Sequence, residues 1–198
     1  MPTANQTAAA GGSTRDAIVA AADMLFYQRG VAGTSFADIA AQVNISRGNF
    51  YHHFKSKDEI LDAVIALRTA RTGAMLAAWA AEAPDAGARL RRFAGMLVQN
   101  REAIQRYGCP VGTLCSELAR HAHPARDSAA MIFGLFRSWL RAQFEALGHR
   151  QDADALALHL LVRSQGIAAL AHAFHDEDLI HREIKLVEDW LDSLHTHP

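Results

Sequence analysis

Cysteine, proline and aromatic residues are scarce in this chain of 198 residues, which has 2 Cys, 5 Pro and 8% aromatic side chains. Two cysteines, Cys109 and Cys115, exclude a disulfide framework and are typical of a reducing compartment. No apolar run approaches the roughly 20 residues that span a bilayer. Residues 1–12 lack the basic start and apolar stretch of a signal peptide. They therefore predict a disordered tail, and we expect a cytoplasmic protein that does not enter a membrane.

Sequence patterns of catalysis are also missing. The chain has no glycine-rich phosphate loop, no nucleophile elbow and no paired-carboxylate helix motif, so we predict that it is not an enzyme and needs no cofactor. Of the 11 histidines, His121 lies near His123 and His172 near His175. No cysteine or carboxylate completes a zinc spacing there, so no metal site is predicted. The net charge of −1 neither supports nor excludes a nucleic-acid partner, because only a local patch must meet phosphate.

What the chain has in abundance is alanine and leucine, within a composition that is 50% hydrophobic. This favours helices, and no segment alternates as a strand would, so we predict an all-α fold with about nine helices. The first helix begins at a capping box formed by Ser13 and Asp16, and the fourth at one formed by Ser56 and Glu59. Thr34 and Ser35 offer the N-cap of the second, with Asp38 three residues after Ser35 as in a capping box, and Ser46 caps the third. Gly30 and Pro84 end the first and the fourth. Five more are expected at about 85–107, after Cys109-Pro110, and at about 124–147, 152–174 and 179–195.

The stretch from Thr34 to Leu61 carries the most information about function. Two short helices there are joined at Val43-Asn44-Ile45, and a turn of about three to four residues between short helices is the helix-turn-helix arrangement. Asn44 can adopt the left-handed backbone that such a turn needs. Gly48 stands in the second of these helices, where it lowers helix stability and can allow the backbone to approach a phosphate or a base edge. The pattern predicts a DNA-binding domain at residues 13–57, followed by a larger helical domain at residues 58–198.

This stretch resembles the DNA-binding domain of the TetR/AcrR family of transcriptional regulators. The residues that carry the resemblance are Thr34, Ser35, Asp38, Ile39, Ala40, Ser46, Gly48, Tyr51, His53, Phe54, Ser56, Lys57 and Leu61. The chain departs from the family pattern at Asn44, where glycine is usual, and at Asn49, where threonine is common. Asn tolerates the same backbone, so the geometry of the turn is retained, while Asn49 can change the base preference.

The resemblance implies a dimer that places two recognition helices in successive major grooves of a palindromic operator in double-stranded DNA. Arginine pairs naturally with guanine and asparagine with adenine, so we assign Arg47, Asn49 and His52 to base edges. Thr34, Ser35, Tyr51 and Lys57 are expected to contact phosphate. The full set of expected DNA-binding residues is Thr34, Ser35, Ser46, Arg47, Gly48, Asn49, Tyr51, His52 and Lys57.

The second domain is expected to serve the dimer and an effector. Helices at about 124–147 and 152–174 are apolar over so much of their circumference that they need more than one partner, so we expect them to form the homodimer interface. A pocket for an unidentified small-molecule effector would suit a cluster of aromatic and Met side chains with a few polar groups. Its candidates are Met75, Trp79, Phe93, Met96, Tyr107, Trp139 and Arg163, although side chains at helical spacing belong more often to the core than to a ligand pocket.

The predicted function is therefore that of a DNA-binding transcriptional regulator, a repressor released from its operator by the effector. The alternative is a redox- or electrophile-sensing regulator that acts through Cys109, because a helix start at Pro110 would stabilise a thiolate. The sequence leaves open the operator, the regulated genes, the effector and the sign of regulation.

Overall fold

The computed structural model describes residues 13–176 and 178–194, so the predicted disordered tail at residues 1–12 lies outside the described residues. The described residues form ten helices. They are α1 (Thr14–Arg29), α2 (Phe36–Gln42), α3 (Arg47–His53), α4 (Lys57–Glu82), α5 (Ala86–Gln99), α6 (Arg101–Tyr107), α7 (Pro110–Arg120), α8 (Arg126–Ala146), α9 (Ala153–Phe174) and α10 (Leu179–Ser193).

The all-helical fold is confirmed, but one predicted helix is two. The helix expected at about 85–107 is divided at Asn100 into α5 and α6. The backbone N–H of Asn100 donates to the Met96 carbonyl at 3.1 Å, and its side-chain amide donates to the same oxygen at 2.8 Å. Asparagine side chains compete in this way with the helical ladder, and Asn100 leaves the helical region with ψ 13°. Apolar spacing alone did not reveal this break.

The chain divides into two compact units, and the boundary falls within α4, between Val64 and Ile65. Sequence reasoning placed the domain boundary near the start of the same helix, after Lys57. In the first unit, side chains from α1 to α4 fill one core. Its fully or almost fully buried members include Ile18, Leu25, Ile39, Phe50, Phe54 and Leu61.

The second unit has a larger core, built from α4, α5 and α7 to α10 together with Ile104 of α6. The inward face of α8 carries Ile132, Phe136, Leu140 and Phe144, which are all buried. The long helices α8 and α9 pack against each other. Arg68 of α4 is buried here as well, and its guanidinium donates to the Pro110 carbonyl at the start of α7.

Across residues 13–176 and 178–194, none of the helices combines the length and the apolar character that a membrane crossing requires. In the same residues, no group of three or more His, Cys, Asp or Glu side chains could hold a metal ion.

Candidate nucleic-acid interface

The helix-turn-helix is defined by local hydrogen bonds at each helix start. The Ser35 hydroxyl accepts from the Asp38 N–H at 3.2 Å, and the Asp38 carboxylate accepts from the Ser35 N–H at 2.8 Å, which completes the predicted capping box. The Ser35 hydroxyl also donates to the Asp38 carboxylate at 2.5 Å, and this hydrogen bond, together with the one from the Ser35 N–H, holds the pKa of Asp38 below its ordinary value. Asn44 takes the predicted left-handed backbone with φ 54°, and the Ile45 N–H then donates to the Ala40 carbonyl at 3.1 Å. The turn between α2 and α3 is thereby closed.

Helix α3 is held on the first unit mainly by one side chain. Phe50 is the buried residue of this seven-residue helix, and its ring lies 5.1 Å from that of Phe36 on α2. Tyr51 meets the Phe36 ring edge-on at 5.7 Å. Helices this short are not stable alone, so α3 depends on these contacts for its helical structure. Apart from Phe50 and the half-buried His53, the residues of α3 are exposed.

The outward face of α3 carries Arg47, Gly48, Asn49, Tyr51 and His52, all of which are exposed. Tyr51 keeps 47% of its surface accessible. A Cβ added at Gly48 would meet only the Ser46 hydroxyl oxygen, at 4.0 Å, so packing within the protein does not require glycine there. The sequence-based assignments to base edges therefore fall on side chains that the structure presents together.

A shallow cavity lies at the junction of α2 and α3. It has a volume of about 250 Å³ and is lined by Ser35, Phe36, Ala37, Ala40, Arg47, Phe50 and Tyr51. Arg47 forms no ion pair with any described residue, since no carboxylate oxygen lies within 4.0 Å of its guanidinium among residues 13–176 and 178–194. Between Asp38 and Asp58 the chain has no carboxylate at all. This edge of the first unit is consequently cationic, as a phosphate-binding surface must be.

The expected phosphate contacts differ in their surroundings. Thr34 is only 1% exposed, and its hydroxyl donates to the Gly30 carbonyl at 2.8 Å, so its side chain is part of the core and not a phosphate ligand. The Ser46 hydroxyl caps α3 by accepting from the Asn49 N–H at 3.2 Å. Lys57 is half-buried and its ammonium donates to the Val31 carbonyl at 3.0 Å, which leaves two of its three N–H donors for another partner.

Sequence reasoning missed Lys55. This exposed residue follows α3, and its ammonium donates to the carbonyl of Tyr51 in that helix. It therefore carries a positive charge beside the last turn of α3. The signal was present in the run Lys55-Ser56-Lys57, but only Lys57 was identified, because the family pattern contains that lysine.

In the second unit, most expected effector residues belong to one core. Phe93 is 1% exposed and meets Phe136 at 5.7 Å, and Trp79 meets Trp139 edge-on at 5.9 Å. Met75 and Met96 are partly buried against the same core. Five of the expected effector residues are thus brought together in this core, namely Met75, Trp79, Phe93, Met96 and Trp139.

Tyr107 and Arg163 have other surroundings. Tyr107 lines a cavity of about 390 Å³ at the break between α5 and α6, together with Gln99, Asn100, Arg101, Glu102, Ala103 and Arg106. Arg163 pairs with Glu183 of α10 at 3.1 Å, so its charge is already compensated within the protein. The structure therefore does not show these two residues in the aromatic cluster.

Helix α9 has a second apolar face besides the one that is buried. Leu158, Val162, Gly166, Leu170 and Phe174 recur every four residues and are all exposed, with 60% of Val162 and 66% of Phe174 accessible. Residues at this spacing share one side of a helix. Met131 of α8 is exposed as well. Exposed apolar surface of this kind marks an interaction site in a folded protein.

Residues 18–64 match the family model for bacterial regulatory proteins of the tetR family. The match covers α2, α3 and the turn between them, and it contains every exposed residue of the α3 face. The match assigns residues 18–64 to the TetR family. The proteins that the family model describes are bacterial regulators.

Curated relatives agree with this assignment. The HTH-type transcriptional regulator TtgR of Pseudomonas putida is 46% identical over 52 residues, which are 26% of this chain and 25% of that protein. The alignment thus spans about a quarter of that relative. An HTH-type transcriptional regulator in the lacX 3′ region of Lactococcus lactis subsp. lactis is 25% identical over 180 residues, covering 89% of this chain and 92% of the relative.

Solved structures show that the similarity in fold extends over nearly the whole chain. A TetR transcriptional regulator from Legionella pneumophila aligns with a TM-score of 0.79 at 24% identity, over 92% of this chain and 97% of that one. SCO4454, a TetR-family regulator from Streptomyces coelicolor, aligns with a TM-score of 0.79 at 22% identity, over 91% and 95% of the two chains. The TetR fold therefore includes the second unit.

Proposed function

We propose that this TetR-family protein is a homodimeric, cytoplasmic repressor that binds a palindromic operator and is released from it by a small-molecule effector. The observation that carries the proposal is the outward face of α3, where Arg47, Asn49, Tyr51 and His52 are exposed beside a glycine that packing does not require. Arg47 and Asn49 have the donors that read guanine and adenine in the major groove. Tyr51, Lys55 and Lys57 supply donors for phosphate oxygens.

The homodimer is proposed on the exposed apolar stripe of α9 with Met131 of α8. A chain that kept this stripe in water would leave several large apolar side chains unburied, and pairing with a second copy removes them from solvent. A two-fold symmetric dimer also presents two copies of α3 to DNA. A palindromic operator is the sequence that such a dimer reads with equal contacts in both halves.

The test is a selection of bound sequences from random double-stranded DNA, followed by titration of the enriched sequence at several salt concentrations. We expect one palindrome, bound with an affinity that falls steeply as salt rises, because phosphate contacts release counterions. Weak, uniform binding without enrichment would contradict the proposal. Light scattering after gel filtration measures the mass of the free protein. A monomeric mass at micromolar concentration would contradict the proposed homodimer.

The second candidate, an electrophile-sensing regulator, rests on Cys109. Cys109 is the N-cap of α7, and its sulfur accepts from the Gly112 N–H at 3.4 Å, so the thiol lies at a helix start as the sequence predicts. Burial raises the pKa of the other thiol, that of Cys115. Addition of the Cys109 sulfur across the double bond of N-ethylmaleimide would form an S–C bond, with the proton going to the adjacent carbon. Operator affinity is measured for the natural protein and for Cys109→Ser, each with and without N-ethylmaleimide. An affinity that falls on treatment of the natural protein but not of the variant favours this candidate, and equal affinities in these four samples contradict it.

A further inference from the structure

Three helices of the second unit bring a polar cluster into an otherwise apolar core. Arg89 of α5 donates from Nη2 to the Ala80 carbonyl near the end of α4, at 2.8 Å. Its Nη1 lies 3.4 Å from the Oε1 of Gln143 on α8. Gln143 is buried, and its own amide donates to the Trp139 carbonyl one turn earlier, at 3.0 Å. The cluster therefore connects α4, α5 and α8 through one guanidinium and one amide.

Two N–H donors of this cluster are left without an acceptor. Arg89 Nε and Trp139 Nε1 are both buried, and neither has a hydrogen-bond partner among the described residues. A tryptophan that is only half-buried, as Trp139 is, usually directs its N–H to water or to a partner. Burial of a donor without an acceptor is unfavourable, so these two atoms indicate a place where an acceptor from outside the chain would stabilise the protein.

The charge of Arg89 is also uncompensated. Of the three arginines on α5, Arg91 pairs with Asp192 at 3.3 Å and Arg92 with Glu82 at 2.6 Å. For Arg89, residues 13–176 and 178–194 supply no carboxylate oxygen within 4.0 Å. The carbonyl of Ala80 and the amide oxygen of Gln143, which accept from its guanidinium, are both neutral. An anionic acceptor would therefore gain both a hydrogen bond and an ion pair here.

Aromatic and thioether side chains surround one of the two free donors, Trp139 Nε1. The ring of Trp139 meets the ring of Trp79 at 5.9 Å with the planes at 63°. Met75 of α4 is partly buried against the same core. Aromatic and thioether side chains accommodate a flat or flexible apolar body, and Met adapts to its shape. The site thus combines a cationic donor end with an apolar flank.

We propose that this corner of α4, α5 and α8 binds a small carboxylate with an apolar body. The carboxylate accepts from Arg89 Nε and Trp139 Nε1, and the apolar body lies against Trp79. The proposal rests on the function proposed above, because it states the chemical class of the effector. It departs from the sequence-based set by adding Arg89 and Gln143 to Trp79 and Trp139, and by leaving Arg163 and Tyr107 out.

The experiment is isothermal titration calorimetry of the full chain with two acids and their alcohols. The pairs are 4-phenylbutyrate with 4-phenylbutanol and 2-naphthylacetate with 2-(2-naphthyl)ethanol. We expect at least one acid to bind about tenfold or more tightly than its alcohol, because the alcohol lacks the charge that Arg89 would pair with. Acids that bind no more tightly than their alcohols, or no binding by either acid up to millimolar concentration, would overturn the proposal.

Two variants locate the site, each with a matched control. Trp139→Phe keeps an aromatic ring and removes the free N–H, and Trp190→Phe makes the same change on α10, where the ring contacts Phe144 and His159. Arg89→Gln removes the uncompensated charge, and Arg92→Gln removes a charge that has a partner on Glu82. We expect the Trp139 and Arg89 variants to weaken binding of the acid about tenfold, and the Arg89 variant to abolish the preference for the acid over the alcohol. The controls should bind as the natural protein does.

Thermal unfolding of each variant separates lost binding from lost folding. Trp139→Phe leaves part of the indole space empty but also removes a buried donor without an acceptor, so its unfolding midpoint should be no lower than that of Trp190→Phe. A midpoint well below that of Trp190→Phe would show that the Trp139 N–H already has a partner inside the protein, such as a bound water, and would overturn the proposal. If Arg89→Gln does not fold, the comparison of Trp139→Phe with Trp190→Phe and the ratio of acid to alcohol affinity still test the proposed site.

The effector role is tested separately from the site. Operator affinity is measured with and without the acid that calorimetry selects. Acid binding that leaves operator affinity unchanged would support the site and contradict the effector part of the proposed function. A compound that releases the operator equally well from the natural protein, Trp139→Phe and Arg89→Gln would support the proposed function and overturn the proposed site.

Discussion

Two exposed helix faces, that of α3 in the first unit and that of α9 in the second, differ in almost every property. The α3 face is short, polar and cationic, and it is held in place by one buried phenylalanine. The α9 face is long and apolar, on a helix of 22 residues whose opposite side is embedded in the core. Polar donors without partners suit phosphate and base edges, whereas apolar side chains without partners suit another apolar surface. The difference therefore predicts two kinds of partner for one chain.

The largest effect is expected where the α3 face is attached to its unit. Phe50→Ala removes a ring that is 1% exposed, and should lower the free energy of unfolding of the first unit by about 3–5 kcal/mol. Because α3 is too short to persist alone, DNA binding should be lost with it. Circular dichroism during thermal unfolding measures this. A first unit that stays folded with normal stability would show that α3 does not depend on Phe50.

The next effect concerns the apolar face. Val162→Glu places a charge in the middle of the α9 stripe, and we expect the dimer dissociation constant to rise about a hundredfold, since an unpaired charge at an interface loses its hydration. Light scattering after gel filtration at several concentrations follows the mass. Leu186→Glu on α10 is the matched control, because Leu186 is exposed and apolar but lies outside α8 and α9. Dimer dissociation constants that rise equally in both variants would contradict the placement of the dimer interface on α9.

Arg47→Ala tests the reading of bases by the polar face. The variant should remain folded and dimeric, and operator binding should weaken by about 1–3 kcal/mol, as expected for loss of a bidentate contact to guanine. Titration against the selected operator and against a version changed at one base pair measures both affinity and preference. Arg91→Ala, an exposed arginine of the second unit, is the control. An unchanged binding curve for Arg47→Ala would remove this residue from the interface.

Gly48→Ala should separate folding from binding on the same face. Alanine is about 1 kcal/mol more favourable than glycine within a helix, and the added Cβ meets no atom closer than 4.0 Å, so the first unit should become more stable. Operator affinity should nevertheless fall several-fold, because the methyl group prevents close approach of the DNA. Greater stability together with unchanged affinity would contradict a functional reason for this glycine.

The smallest effects are expected at the lysines beside α3. Lys55→Ala and Lys57→Ala should each weaken binding to all DNA sequences and lower the salt slope by about one unit, as loss of one phosphate contact does. Lys57→Ala should lower the unfolding midpoint more than Lys55→Ala does, because the half-buried Lys57 ammonium bonds the Val31 carbonyl in the loop after α1, whereas the exposed Lys55 ammonium bonds a carbonyl only four residues away. Salt slopes equal to that of the natural protein would contradict the phosphate role of that lysine.

The parts that sequence reasoning predicted depend on signals within a few residues of each other. Gly30 ends α1 with φ 79°, Asn44 turns the chain at φ 54°, and Pro110 begins α7. The capping box predicted at Ser56 is present in altered form, since the Glu59 N–H donates to the Ser56 hydroxyl while the Glu59 carboxylate accepts from the Lys55 N–H. Hydrogen bonds between residues so close in the chain leave a pattern in the sequence, and that pattern was sufficient to predict where these helices begin and end.

The parts that it missed depend on side chains distant in the chain. Thr34 fits a phosphate contact by its place in the family pattern. Its side chain is nevertheless buried, and its hydroxyl donates a hydrogen bond to the Gly30 carbonyl at the end of α1. Arg163 fits a pocket residue until Glu183, 20 positions later, is found to pair with it. The partners of such groups are set by packing and not by local spacing, so composition and periodicity could not identify them.

Local patterns along the chain are sufficient to establish that this protein is helical, where most of its helices begin and end, and that residues 18–64 match the TetR family. Capping hydrogen bonds and apolar spacing encode these features, since they act within one or two helical turns. The packing of distant helices sets which apolar residues of α9 remain exposed, and it leaves Arg89 and Trp139 with buried donors that have no acceptor among the residues described. Those features arise when distant helices pack together, because burial and hydrogen-bond satisfaction are properties of neighbours in space.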